Sequence, residues 1–234
     1  YKVQVYPTNA LIVDVQAGYA TFESLYINEA GGPYMLRFIS TAKLADGSAV
    51  PDLYSSQFIV SVGPASQMVF AENSTIELAT VTAGEFFIVA PRLLIQDAGG
   101  NLLVDDSESG VTVSISDNPS DATLGLDTQL FEIAKAGIAT FTTLTIDKVG
   151  QQYRLAFVYS AYDSTTNTYT ASTSIILYSD RFDVLLGHGA SLASTVAVDN
   201  AWAGGQPFGI QPSLNIQDRG GNIIVTDFTS TLTA

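Results

Sequence analysis

Apolar and polar residues alternate with a period of two along most of this chain, the spacing that puts successive side chains on opposite faces of a β-strand. Val111, Val113 and Ile115 fall on one face with Thr112 and Ser114 on the other, and Tyr153, Leu155 and Phe157 alternate with Gln152, Arg154 and Ala156. No stretch sustains the helical period. Clusters of Gly, Asn, Asp and Ser separate the alternating runs and supply the left-handed or side-chain-bonded conformations that turns require. The pattern predicts half-buried antiparallel strands. In the central part of the chain it places them at 67–70, 86–89, 92–96, 111–116, 130–134, 138–146, 153–159, 172–178 and 182–185. The expected class is all-β, a β-sandwich.

The pattern is also written more than once. Gln96-Asp97-Ala98-Gly99-Gly100-Asn101 returns as Gln217-Asp218-Arg219-Gly220-Gly221-Asn222, 121 positions on (217 − 96). Gly18-Tyr19-Ala20-Thr21-Phe22 returns as Gly137-Ile138-Ala139-Thr140-Phe141, 119 positions on (137 − 18), and Tyr34, Leu36 and Phe38 return as Tyr153, Leu155 and Phe157. A period of about 120 residues is the size of an ordinary domain. Because the two markers interleave, the expected organisation is the C-terminal part of one domain at 1–62, a complete domain at 63–186 and the N-terminal part of a third at 187–234. Seven to nine strands in one period is the immunoglobulin-like count. Gly150-Gln151-Gln152-Tyr153-Arg154-Leu155 reads like a tyrosine corner, with Leu155 where disulfide-bonded domains carry a cysteine.

The copies differ mainly in loops. Phe58 and Phe182 lie 124 positions apart (182 − 58), which puts the extra residues in the polar stretch 160–174 and makes Asp163 to Thr168 an expected exposed loop. Gly99, Gly100 and Asn101, like Gly220, Gly221 and Asn222, read as hairpin turns. The glycines permit positive φ and asparagine tolerates left-handed geometry, so that Leu93 and Ile95 face Leu103 across the bend. They are not phosphate loops, since no lysine follows and no helix is predicted to aim its N-terminus at an anion.

The run Phe58-Ile59-Val60-Ser61-Val62-Gly63-Pro64-Ala65-Ser66-Gln67-Met68-Val69-Phe70, then Ala83-Gly84, Gln96 to Asn101, Gly137 to Phe141, Leu144 to Lys148 and Gly150 to Leu155, resembles the tandem bacterial-type immunoglobulin-like repeats of invasin-like adhesins and other large surface proteins. The resemblance spans the central unit and each flanking half, with Ser191 to Val196 departing from it. It implies tandem immunoglobulin-like sandwiches on a cell surface or outside the cell, serving as stalk, adhesin or filament, with neighbouring domains or other copies in a fibre as partners. A filamin-type rod is similar in its Gly-x-x-Tyr and Phe-x-Val strands and would place the chain inside a cell.

Composition narrows the partners. With 47% hydrophobic and 14% charged residues the chain is not a disordered tail, and its longest apolar runs, such as Phe86 to Ala90, are too short to span a bilayer. Twenty-three acidic against nine basic residues give a net charge of −14, which repels nucleic acid and anionic lipid. Neither nucleic-acid binding nor membrane insertion is expected. The absence of cysteine excludes disulfides, thiolate metal sites and cysteine nucleophiles. Tyr1 to Val5 already alternates like a strand, which suggests an excerpt of a longer repeat protein.

Candidate chemistry is sparse. His188 is the only histidine, so no histidine zinc site or repeated triad is available, and its place in Gly187-His188-Gly189 suggests a linker. Asp105, Asp106 and Glu108, with Asp97 on the preceding turn, are oxygen donors of the kind calcium takes, although the second copy keeps only Asp227 of that run; a solvated acidic turn is the plainer reading. Trp202, the only tryptophan, is a candidate for stacking on a sugar or on another domain, or for local packing. Asn73-Ser74-Thr75 is an acceptor pattern for N-linked sugar. No pair of carboxylates is singled out for glycoside cleavage. The expected function is structural and non-catalytic, without a cofactor; the alternatives are a module in which Trp202 or the 160–174 loop binds a glycan or surface protein, and an accessory domain of a secreted hydrolase.

Overall fold

The computed structural model describes residues 4–8, 11–74, 81–125, 130–197, 204–205, 207–227 and 229–233, and among them the chain is all-β, with no α-helix. It divides into two compact units, Tyr1–Gln67 with Ile95–Asp105, and Met68–Leu94 with Asp106–Ala234. The Gly-Gly-Asn turn at 97–101 thus belongs with the residues before Gln67.

In the first unit β1 (Val5–Tyr6) pairs with β2 (Tyr26–Ile27), β3 (Gly31–Tyr34) with β6 (Phe58–Val60), and β4 (Arg37–Phe38) with β5 (Leu53–Tyr54), all antiparallel. The remaining strands are β7 (Gln67–Phe70), β8 (Val81–Thr82), β9 (Arg92–Gln96), β10 (Gly110–Asp117), β11 (Phe131–Ile133), β12 (Ile138–Thr140), β13 (Gly150–Asp163), β14 (Thr168–Tyr178), β15 (Phe182–Leu185), β16 (Ser191–Val196) and β17 (Ser213–Gln217). They form a sheet in the order β11-β10-β13-β15-β8, with β14 also on β13, a sheet β12-β9-β7, and a β16-β17 pair. Among the described residues only β8 and β15 pair in parallel, with Val81 opposite Val184 and Thr82 opposite Leu185.

The core of the second unit lies where side chains of the two larger sheets meet. Phe70 stands edge-on to Phe157 at 5.7 Å, Phe141 packs on Phe157 at 5.4 Å, and Phe87 meets Phe182 at 5.8 Å. Tyr153, Leu155 and Phe157 are fully buried along one face of β13, as their alternation predicts, and Val111 and Val113 do the same on β10. Each such side chain contributes roughly 1.5–3 kcal/mol by leaving water.

The sequence copies carry the same pairings. Gly31 faces Val60 and Tyr34 faces Phe58; Gly150 faces Val184 and Tyr153 faces Phe182, with a bulge at the same place. Phe38 faces Leu53 as Phe157 faces Leu177. The expected tyrosine corner is present twice: the Tyr34 hydroxyl donates to the Glu29 carbonyl (3.3 Å) and the Tyr153 hydroxyl to the Lys148 carbonyl (3.0 Å).

Three strand expectations need correction. Residues 86–89 form no strand; Phe86 makes a single bridge to Thr145, and Phe87 is buried while Ile88 is 76% exposed, so the alternation is real but no ladder accompanies it. The run 138–146 breaks after Thr140 at a turn over Thr142 and Thr143, and Thr145 and Ile146 bridge instead to Phe86 and Leu124. The stretch 160–174 is mostly ladder, with Ser160 opposite Ala171 and Asp163 opposite Thr168, leaving Ser164 to Asn167 as the turn. Its two arms are largely solvent-exposed, so nothing forces an apolar face there.

Candidate functional site

The twin Gly-Gly-Asn turns are the most densely bonded polar sites among the described residues. In each, the backbone closes a hairpin: Asp97 and Asn101 are joined by an N–H to carbonyl bond (3.0 Å), Gly100 donates to the Asp97 carbonyl (3.1 Å), and Gln96 bridges Leu102. The Asp97 carboxylate sits inside the turn, 5% exposed, and accepts from the backbone N–H groups of Gly99 (2.9 Å), Asn101 (2.9 Å) and Gly63 (2.8 Å), as well as from Asn101 Nδ2. Burial pushes the Asp97 carboxyl up, but these donors outweigh it and hold it below the ordinary aspartate value.

Asn101 then reaches outward. Its Nδ2 donates to the Asn28 carbonyl (2.6 Å) and its Oδ1 accepts from the Ala30 N–H (2.9 Å). A side-chain amide carries one donor face and one acceptor face, so it satisfies a carbonyl and an N–H two residues apart as the backbone of a neighbouring strand does. The second turn repeats the arrangement. Asp218, 1% exposed, accepts from the N–H groups of Asn222 (2.8 Å) and Gly187 (3.1 Å); Asn222 Nδ2 donates to the Asp147 carbonyl (2.7 Å), and Oδ1 accepts from the Val149 N–H (3.3 Å). Asp147 and Val149 stand 119 positions after Asn28 and Ala30 (147 − 28, 149 − 30).

The two glycines of each turn have different duties, which corrects the expectation that both serve φ. Gly100 and Gly221 hold φ of +87° and +81°. Gly99 and Gly220 do not; a Cβ there would stand 2.2 Å from the Asn28 carbonyl oxygen and 2.1 Å from that of Asp147. They are glycines because the turn presses against backbone. Around the second turn, Gly84 (φ +77°) lies as close, a Cβ there falling 2.3 Å from Gly220 N, and Arg219 pairs with Glu85 at 3.3 Å, both ends exposed. Chemically the arrangement joins one backbone to another.

No protein-family model and no curated protein matches this sequence.

The other sequence candidates do not gather into a site. Among the described residues no three His, Asp or Glu side chains are placed to hold a metal. The Asp97 oxygens are occupied as above. Asp106 Oδ1 accepts from Glu108 N (3.2 Å) and Ser109 N (3.0 Å), and Asp227 repeats this with Thr229 N (3.0 Å) and Ser230 N (2.9 Å), so the retained carboxylate of the acidic run is a turn former. Those N–H donors, with the Ser230 hydroxyl foremost, lower the Asp227 carboxyl to about 2. Asp105 and Glu108 are exposed. Asn73 is exposed in a turn at φ +58°, while Ser74 is buried with its hydroxyl donating to the Ala71 carbonyl (2.7 Å). Trp202 lies outside the described residues, and His188 is exposed.

Two features escaped the sequence reading. Ser55 and Ser179 each receive the N–H of the corresponding leucine, half-buried Leu36 or fully buried Leu155, at 2.9 Å, and pass their own proton to the next carbonyl. The signal was there: Leu53-Tyr54-Ser55 returns as Leu177-Tyr178-Ser179. The second is an aromatic cluster at the β13–β14 hairpin, where Tyr169 meets Phe131 at 4.8 Å and Tyr162 at 5.1 Å; these residues lie far apart or across a turn and share no sequence pattern.

Proposed function

We propose that the chain is a non-catalytic structural segment of an extracellular array of tandem immunoglobulin-like sandwiches, repeating about every 120 residues, in which the Gly-Gly-Asn turn of each repeat clasps its predecessor. The observation that supports it is the doubled bond set: Asn101 on Asn28 and Ala30, and Asn222 on Asp147 and Val149, with Asp97 and Asp218 tying each turn to Gly63 and Gly187. Under the domain boundaries 1–62, 63–186 and 187–234, every one of these turns lies in one repeat and its amide partners in the repeat before. Such a contact, recurring at each junction, restricts how successive units hinge, which suits a stalk or filament that must project. The acidic surface keeps such an array dispersed.

The cysteine-free chain makes the test direct. Spin labels on single cysteines at the exposed Ser116 and Thr226 report the spread of distances across the second clasp. Asn222→Ala is expected to broaden that spread; equal spreads in wild type and variant would remove the clasp from the account.

A further inference from the structure

The ladder between β13 and β14 jumps in register from Val158 opposite Ile176 to Ser160 opposite Ala171, and beyond that bulge Thr168–Ala171 and Ser160–Asp163 run on as a two-stranded arm. All four residues of β14 in the arm are exposed. Aromatic packing braces it, since Tyr169 meets Tyr162 at 5.1 Å and Phe131 at 4.8 Å. Among the described residues β14 pairs with β13 alone, so the other edge of this braced strand has no strand beside its backbone N–H and carbonyl groups.

Proteins ordinarily block such an edge with a charge, a proline or a very short strand. The earlier sequence copy has all three: β5 is two residues long and follows Pro51 and Asp52, the latter paired with Arg37. In the later copy, 124 positions on (175 − 51), Ile175 and Ile176 stand in their place and the strand continues to Thr168. No proline falls between Ser160 and Ser179, and the one charged residue there, Asp163, lies on β13. On a chain of net charge −14, an uncharged edge lets two copies approach with little repulsion.

We propose that Thr168–Ala171 pairs with the same segment of a second copy of this chain, the two strands running antiparallel about a two-fold axis so that their sheets join side by side. A strand edge is self-complementary in that arrangement, because the facing residues exchange places under the rotation. Thr, Tyr, Thr and Ala set no like charges opposite one another. This adds a lateral contact to the end-to-end array and does not depend on it.

Sedimentation of the 234-residue chain over a wide concentration range tests the pairing, with amide hydrogen exchange to locate it. A species of twice 24.8 kDa is expected. As it forms, the amides of Thr168–Ala171 should gain protection, while those of β11, at an edge of the same sheet, should not. Thr170→Lys, which sets a lysine from each copy beside the axis, should abolish the dimer; Thr168→Lys serves in its place if the former loses its cooperative melt. Ile88→Lys, at a 76% exposed position outside the strands, should dimerise as the wild type does. A wild-type chain that stays monomeric, a dimer that persists in Thr170→Lys or is lost equally in Ile88→Lys, or protection that appears elsewhere and not on β14 would overturn the proposal. The clasp is read from label distances within one chain, so each of these results leaves it standing.

Discussion

At the scale of single residues, the clasp depends on which atoms asparagine carries, and this makes two substitutions informative. Asn222→Asp keeps the shape and the acceptor for Val149 N–H but turns the donor facing the Asp147 carbonyl and the Asp218 carboxylate into another oxygen. Removing a partner from a buried polar group costs about 1–3 kcal/mol, and the like charge beside Asp218 adds to that. Gly220→Ala acts by volume alone, since its Cβ would overlap the Asp147 carbonyl; forced overpacking costs about 1–3 kcal/mol. Both variants should lower the thermal midpoint of the second unit, whereas Gly221→Ala should act only through its left-handed φ. A Gly220→Ala midpoint unchanged from wild type would refute the close backbone approach. The sequence made these turns visible as repeated hairpins, and it showed Gly-Gly-Asn as one motif. It did not distinguish the two glycines, because the partner of Gly99 is a main-chain oxygen of Asn28, which any residue type supplies.

At the scale of elements, strands with a buried face were legible and strands without one were not. β9 and β15 fall where alternation put them, and β10 within a residue of each end. β13 and β14 run well beyond their apolar stretches, because their outer ladder is held by backbone pairing and by Tyr162 and Tyr169 rather than by a core. β8 was missed since two residues contain no period. The junction of β13 with the end of β14 is fixed by Ser179, 1% exposed, whose hydroxyl accepts from Leu155 N–H and donates to the Asp180 carbonyl. Ser179→Ala leaves that N–H buried and unpaired and is expected to cost about 1–3 kcal/mol. Denaturant unfolding checks this: Thr173→Ala, at an exposed position of β14, should change little beside it, and equal effects would mean the buried bond carries no special weight.

At the scale of the whole molecule, acidity and topology both leave measurable marks. The Asp97 carboxyl has a folded pKa below its unfolded one, so its contribution is complete above the unfolded value of about 3.9 and is lost as pH falls through the lowered folded value. The first unit should therefore loosen in acid below about pH 4, and Asp97→Asn should flatten that part of the pH profile of its melting. A variant with the wild-type acid slope would assign the slope to other carboxylates. Of the molecular design, the all-β class and the turn motif could be read from the letters; the division into units that takes 97–101 away from its sequence neighbours could not, since it follows from hydrogen bonds across more than seventy residues of chain.

The parallel pairing of β8 with β15 has a mechanical consequence. β8 lies near the start of the span 63–186 and β15 near its end, and the bonds between them include Ala83 N–H to the Leu185 carbonyl at 2.9 Å. Traction on the two ends of that span draws parallel strands past each other, loading their bonds together instead of peeling them one at a time. Rupture of that span under tension should then occur in one high-force event, and Val81→Pro, which unsettles β8, should lower that force in single-molecule pulling more than it lowers the thermal midpoint.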